Sequence, residues 1–420
     1  MGKLKRHSLY GQVITHSNML KAWRAVKANR GAAGVDRQSI EEYEKNLEGE
    51  LERLFGELKA KAYQPRPVRR VYIPKANGAR RPLGIPAVRD RVVQQALRQV
   101  LEPVFEPLFL ECSFGFRPKK SAHMALDRVS AHLEQGYRWI VDCDIKGYFD
   151  SIPQEKLIDA VAEEVADGTV LNLIRAFLQA GVMEEGSYSE SEAGTPQGGV
   201  ISPLLANIYL HRLDTEMTTR GHRLTRYADD FVILVGSERA ALRVMDAVKN
   251  LLQTELGLTV HPEKSRVVHV QDGFEFLGYL FKGQYRRPKD RKIDEFKQQV
   301  REITTRNQTT NLKAVIAKLN PLLRGWGNYF CYGQVKTRMQ TLDQWIMRRL
   351  RAVQLRSWRH VGQLHRVLRR LGVQDSRLPY LRMTRWASSI HWMANMAIPQ
   401  ALLTSLGLVS LAQIHAMKMG

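Results

Sequence analysis

Two aspartates, Asp229 and Asp230, stand side by side in LTRYADDFVILV (residues 224–235), an otherwise apolar, β-prone run. Burying either carboxylate unpaired costs on the order of several kcal/mol. In a continuous strand, neighbouring side chains point to opposite faces, so the two could not act together. At the tip of a tight hairpin that restriction relaxes. Phe231, Ile233 and Val235 form one apolar face of the strand that follows, and Val232 and Leu234 the other, which places a hairpin at residue 228. Two carboxylates at one exposed turn repel each other unless a cation joins them, and a hard divalent ion such as Mg²⁺ takes oxygen ligands. IVDCDIKGYFD offers a third carboxylate, Asp144, at the end of another strand, with Asp142 two residues back on the same face. Three aspartates holding two metal ions about 3.5–4 Å apart suit the activation of a hydroxyl and the stabilisation of a leaving pyrophosphate, which is nucleotidyl transfer. Aspartate is also an ordinary turn residue, and an Asp-Asp pair alone does not choose between the two readings.

The elements that must position these residues follow from local pattern. Residues 18–62 read as helices broken by NRGAAGVDRQS, with Ser39 and Glu42 at capping-box spacing. VRRVYIPKANGARRPLGIP alternates toward an Asn77-Gly78 turn, a hairpin signal, and Pro82 and Pro86 limit its second strand. Residues 89–135 are helical around the loop CSFGFRP. A strand ends at Lys146-Gly147, and Asp150 is placed as cap of the helix after FDSIP. In TPQGGVISPLLANIYL, Ser202 is expected as N-cap with Pro203 at the first helical position. A helix near 238–256 and strands near 259–280 follow. Beyond about residue 288 the strands stop, and segments 294–304, 311–324, 335–360 and 361–371 carry helical spacing. The fold class expected is α/β followed by a basic all-α region.

The chain has 420 residues and a net charge of +22. Residues 286–386 hold 24 Lys and Arg against 6 Asp and Glu, so an excess of 18 lies in one quarter of the chain. Solvated helix faces account for one or two basic runs; this concentration points to a polyanion, with nucleic acid the default. No long apolar run suggests a membrane span, and MGKLKRHSLYGQV lacks the apolar stretch of a secretory signal. Cys112, Cys143 and Cys331 have no C-x-x-C spacing, which argues against zinc ribbons and disulfide frameworks and fits a reducing cytoplasm.

YADD, preceded by DIKGYFDSIP and GTPQGGVISPLLANIYL and followed by FEFLGY, closely resembles the reverse transcriptases of bacterial group II introns. GAAGVD, RRVYIPK, RPLGIP, SFGFRP and LRGWGNYF match further, in the family's order, from about residue 18 to the C-terminus. The resemblance implies a right-hand polymerase: an N-terminal extension (1–70), fingers and palm (71–287), a helical thumb and maturase domain X (288–372), and a small DNA-binding segment (373–420). It implies an RNA-directed DNA polymerase that uses two Mg²⁺ ions, with Mn²⁺ able to substitute, and that acts as a maturase on its own intron RNA. Its partners are then intron RNA, an RNA template, a DNA primer or target, and deoxynucleoside triphosphates; monomer and dimer are both open.

Carried over residue by residue, Asp144, Asp229 and Asp230 bind the metal ions, with the Ile145 carbonyl as an extra ligand and Asp142 tuning charge beside them. Lys75 and Arg81 grip the triphosphate, Arg80 being the neighbour most easily confused with Arg81. Phe149 lies against the sugar, where its ring excludes a ribose 2′-hydroxyl; a core phenylalanine is the alternative. Gln197 sits beside the incoming nucleotide, Gly198 and Gly199 permit close backbone approach, and Lys264 approaches the triphosphate. Phe276, Leu277, Gly278 and Tyr279 support the primer end. Trp326 and Tyr329 are expected as packing residues. Arg348, Arg351, Arg356, Arg359 and Arg366 are placed along helices that track a phosphate backbone.

Many relatives end in an H-N-H endonuclease domain with paired cysteines, which this sequence does not contain; target-strand cleavage is therefore not expected, and a primer should come from elsewhere. Two alternatives stay open: a maturase whose polymerase is dormant, against which the intact YADD and Asp144 speak, and a relative domesticated for DNA repair or phage defence.

Overall fold

The computed structural model describes residues 5–74, 80–184, 186–190, 193–195, 198–305 and 311–419. The chain divides into two compact units, Met1–Asp272 and Gly273–Gly420. The division falls before the strands of FEFLGY, upstream of the 287/288 boundary that the resemblance implies.

The first unit carries eight strands among its described residues: β1 (Val68–Pro74), β2 (Arg80–Ile85), β3 (Trp139–Cys143), β4 (Val182–Glu184), β5 (Ser187–Ser189), β6 (Arg223–Tyr227), β7 (Asp230–Val235) and β8 (Arg266–His269). They form two four-stranded sheets, one in the order β2-β1-β4-β5 and one in the order β6-β7-β3-β8. In the second sheet all neighbours are antiparallel. Its two inner strands are buried on both faces, which is why Phe231 to Val235 read as a continuous apolar run. The helix Glu238–Asn250 packs on β3 and β8. It starts where the Ser237 side chain accepts a hydrogen bond from the Ala240 N–H, and it buries Ala241, Val244, Met245 and Val248 at helical spacing. Arg80 to Ile85 all stay in register with β1 despite Pro82, on an edge strand, where proline is tolerated.

The capping box is as expected: Ser39 accepts from the Glu42 N–H at 3.1 Å, and the Glu42 carboxylate accepts from the Ser39 N–H at 2.7 Å. Two caps are not. The helix Ser202–Thr219 begins one residue early, with Ile201 as N-cap and Ser202 already helical; Pro203 still sits in the first turn, where it loses no intrahelical bond. Asp150 lies inside the short helix Tyr148–Ser151, and the next helix, Gln154–Ala162, is led by Pro153 without a side-chain cap.

The second unit opens with three strands, β9 (Phe274–Phe276), β10 (Tyr279–Lys282) and β11 (Tyr285–Pro288), with β10 central and antiparallel to both neighbours. Helices follow at Asp290–Ile303, Leu312–Phe330, Lys336–Trp358 and Val361–Arg370. The described residues beyond 372 share one core with these helices through Met383, Met393, Ile398, Leu403 and Leu411. A Cβ at Gly327 would lie 2.8 Å from Ile414 Cδ1, so this glycine in LRGWGNYF lets the terminal helix Leu411–Met419 approach. Asp343 accepts from the backbone N–H groups of Leu411 and Ala412 at 2.9 and 3.0 Å, which satisfies donors at that helix's N-terminus from another helix.

Candidate active site

Tyr227 pairs with Asp230 across β6 and β7, which leaves Ala228 and Asp229 as a two-residue turn. Ala228 takes φ 58°, a left-handed conformation that costs a residue with a Cβ about 1–2 kcal/mol. What holds it is Arg226. This side chain is fully buried, and its guanidinium donates to Asp214 Oδ1 at 2.7 Å and Oδ2 at 2.5 Å, Asn207 Oδ1 at 2.9 Å, Ser113 Oγ at 2.8 Å and the Ala228 carbonyl at 2.9 Å. The charge is matched by Asp214, which is also fully buried, so the ion pair pins the turn from below. From the side, the loop of SFGFRP presses in: a Cβ at Gly115 would lie 2.3 Å from the Ala228 nitrogen, and the Gly115 carbonyl accepts from Asn207 Nδ2 at 2.7 Å.

Asp144 directly follows β3, whose last residue, Cys143, pairs with Phe231 of β7. The aspartates of both strands therefore emerge at the same end of the sheet. The Asp144 backbone is fixed on two sides, its N–H donating to Ser265 Oγ at 3.1 Å and its carbonyl accepting from the His261 N–H at 2.8 Å. Ile145 is buried and bridges to Val260. Burial pushes the Asp229 carboxyl up from its ordinary range; the charge of Asp144 pushes the same way, against Arg81 and Arg226. Asp144 and Asp229 thus repel, and Asp144 takes a cation from the chain itself: Lys264 Nζ donates to its Oδ2 at 3.1 Å. The expected lysine lies at the site but on the carboxylate. Asp142 faces Arg266, 3.6 Å away. Asp230 is exposed at the first position of β7. Among the described residues, no three His, Cys, Asp or Glu side chains converge as a metal cluster. The fit to a divalent ion is one of donor chemistry: hard oxygen donors, two carboxylates under mutual repulsion, and a lysine supplying the compensating charge.

Arg81, whose charge acts on Asp229, also lines a cavity of about 290 Å³ together with Leu83, Phe149, Gly198, Gly199 and Ser202 among others. Phe149 is 8% exposed and lines the cavity, and its carbonyl accepts from the Thr195 N–H at 2.7 Å. Gly198 has φ 113° and a Cβ there would stand 2.2 Å from the Gly84 carbonyl oxygen, so the glycine lets the TPQGG loop close on β2. Lys75 and Gln197 lie outside the described residues.

In the second unit, FLGY turns between β9 and β10 with Leu277 at φ 48° and Gly278 at φ 79°. Tyr329 Oη donates to the Leu277 carbonyl at 2.8 Å, and Phe276 and Tyr279 are buried. Trp326 stacks on Phe296 at 4.3 Å, so it is a packing residue, as is Tyr329. The five arginines separate into two groups. Arg348 lies over the Trp386 ring at 4.8 Å and Arg351 Nε donates to the Ile398 carbonyl at 3.0 Å, which gives both a structural task. Arg356, Arg359 and Arg366 are exposed.

Arg226 and Asp214 are the functional residues that pattern alone did not single out. Their signal is there: an arginine between Thr225 and Tyr227 in a buried strand, and an aspartate on the buried side of an apolar helix, each needs a partner.

Residues 73–281 match the family described as reverse transcriptase (RNA-dependent DNA polymerase), and residues 293–372 match the maturase-specific domain of group II introns. The protein YkfC of Escherichia coli is 34% identical over 309 residues, spanning 64% of this chain and 81% of YkfC. The group II intron-encoded protein LtrA of Lactococcus lactis is 32% identical over 338 residues, spanning 64% of this chain and 56% of LtrA. A solved Cas6-RT-Cas1–Cas2 complex aligns over 59% of this chain and 43% of its own at 24% identity and a TM-score of 0.39, a level that carries no argument. The α/β unit that carries these aspartates is covered by the reverse transcriptase match, which gives the class of protein. With the maturase-specific domain behind it, the chain belongs to the group II intron reverse transcriptase and maturase family.

Proposed function

We propose that the chain is an RNA-directed DNA polymerase that also serves as maturase for a group II intron. The observation that carries the polymerase is the convergence of the Asp229 turn and Asp144 at one end of a single sheet, with Arg81, which lines a cavity together with Phe149, acting on Asp229. The primer 3′-hydroxyl attacks the α-phosphorus of a deoxynucleoside triphosphate; a new P–O bond forms as the bond from that phosphorus to the bridging oxygen breaks, the hydroxyl proton passes to water, and pyrophosphate leaves. Asp144, Asp229, Asp230 and the Ile145 carbonyl would hold two Mg²⁺ ions, or Mn²⁺ in their place, which when bound would supply activation of the hydroxyl and neutralisation of the leaving charge. Arg81, with Lys75, clamps the triphosphate; Gln197 borders the nucleotide; Lys264, which donates to Asp144 in the free protein, lies where it would approach the phosphates. Phe149 closes the sugar side against ribose. In the second unit Phe276 to Tyr279 support the primer end, and Arg356, Arg359 and Arg366 contact intron RNA, with residues 373–420 assigned to DNA. Arg348 and Arg351 act there through packing.

Among the described residues no helix is long and apolar enough to cross a membrane. All three cysteines are buried free thiols, which supports a reducing cytoplasm as the site of action.

The test is primer extension on an RNA template with Mg²⁺, using the wild type and the double variant Asp229→Ala/Asp230→Ala. Extension by the wild type and its loss in the variant, with RNA binding retained, is the expected result. Tight RNA binding without extension in either protein would replace the polymerase with a dormant one.

A further inference from the structure

The SFGFRP loop holds an aromatic side chain to which the polymerase reading assigns no task. Phe116 is 46% exposed, and its backbone takes φ 59°, a region disfavoured for residues with a Cβ. A bulky residue keeps such a conformation only where its surroundings impose it. Here they do, on both sides. Gly115 before it is pressed on Ala228 of the catalytic turn and accepts from Asn207. Arg117 after it is buried and donates to Glu106 Oε1 at 2.8 Å, the Leu110 carbonyl at 2.7 Å and the Ser113 carbonyl at 2.9 Å. The Phe114 N–H donates to the Arg226 carbonyl at 2.9 Å, tying the loop to β6. The ring is thus held out from a rigid loop. It lies 6.3 Å from Tyr227 and lines the same cavity as Arg81 and Phe149.

We propose that Phe116 is the wall against which the nucleobase of the incoming deoxynucleotide stacks. The chemistry of the lining divides by ligand part. Arg81 answers the triphosphate and Phe149, nearly buried, offers only a limited surface to the sugar. A base is a flat π-face, and every base has one, so its partner should be aromatic, exposed and indifferent to sequence. Among the described lining residues Phe116 alone meets all three conditions; Ile73, 49% exposed, is aliphatic.

This inference rests on the polymerase reading and deepens it. The full chain is tested by single-nucleotide incorporation on an RNA template and DNA primer. Phe116→Ala should raise KM for each of the four deoxynucleotides by roughly 5- to 100-fold, the range that loss of one base–aromatic stack gives. The Kd for template-primer and the urea midpoint should stay at the wild-type values. Phe116→Trp should restore KM, and Phe116→Leu, apolar but without a π-face, should not. A wild-type KM in Phe116→Ala overturns the proposal, as does full rescue by leucine, or a KM rise matched by an equal loss of template-primer affinity. A wild type that extends no primer overturns the polymerase reading and this proposal with it; a wild type that extends while Phe116→Ala behaves identically overturns the proposal alone.

Discussion

Removing the Asp214 carboxylate should damage the fold and the site by separable routes. In Asp214→Ala the Arg226 guanidinium keeps Asn207, Ser113 and the Ala228 carbonyl but loses the carboxylate it pairs with, at a position with no exposure to water. Stranding one member of a buried ion pair costs about 3–5 kcal/mol. A domain is stable by only about 5–15 kcal/mol, so the variant should unfold at markedly lower urea. Replacing both members, as Asp214→Leu/Arg226→Met, removes the stranded charge, and such apolar swaps are commonly neutral or better. The double variant should therefore recover most of the lost stability. It should not recover activity. It still lacks the donor to the Ala228 carbonyl, and relaxation of a left-handed alanine would shift Asp229 by an ångström or so, enough for roughly a hundredfold loss of rate. Urea melts followed by circular dichroism, and kcat for primer extension well below the transition, read the two effects. If Asp214→Ala costs under about 1 kcal/mol, the burial argument fails. If the double variant is both stable and fully active, Arg226 is structural only and the turn positions itself.

Other perturbations follow from single contacts. Phe149→Ala should admit ribonucleotides while leaving template-primer affinity alone; unchanged sugar selection in competition assays would remove the ring from that role. His132 is held down at about 4 by burial and by the positive charge of Arg128, against an ordinary 6.5. The unfolded chain then binds a proton that the folded one refuses, so stability falls as pH drops from about 6.5 to about 4, and no further below. His132→Gln should flatten that segment of a pH–stability curve. RNA binding by the full chain should weaken steeply with salt, and Arg356→Ala/Arg359→Ala/Arg366→Ala should reduce the slope of log K against log salt by about 3, near one unit per phosphate contact. A salt-insensitive affinity would contradict the electrostatic account of residues 286–386.

What pattern disclosed and what it did not divide by the reach of the interaction. The hairpin at residue 228, the capping box at Ser39 and the helices after residue 290 depend on neighbours within a few positions, and they are where the sequence placed them. The Ser202 cap slipped by one residue because Pro203 is tolerated anywhere in a first helical turn, and Asp150 failed as a cap because the chain forms a separate short helix there. Arg226 reaches partners 12, 19 and 113 positions away, and no periodicity encodes such a set. Likewise an arginine on a helix reads as phosphate-binding until its ring partner is known, and for Arg348 that partner is Trp386, in a different element.

Ala228 is the position where the local rule breaks. A two-residue hairpin turn favours glycine or asparagine at a positive φ, and YADD puts alanine there. Such exceptions persist where the surroundings over-determine the backbone, and they gather at functional sites. Here the over-determination has a known anatomy: Arg226 on the Ala228 carbonyl, and Gly115 against the Ala228 nitrogen. Glycine at residue 228 would relieve the strain yet widen the range of turns the hairpin can sample. Ala228→Gly should therefore leave the protein as stable as the wild type or slightly more so, while lowering kcat for primer extension. Higher stability with undiminished kcat would show that the alanine, and the contacts that hold it, do nothing for the placement of Asp229.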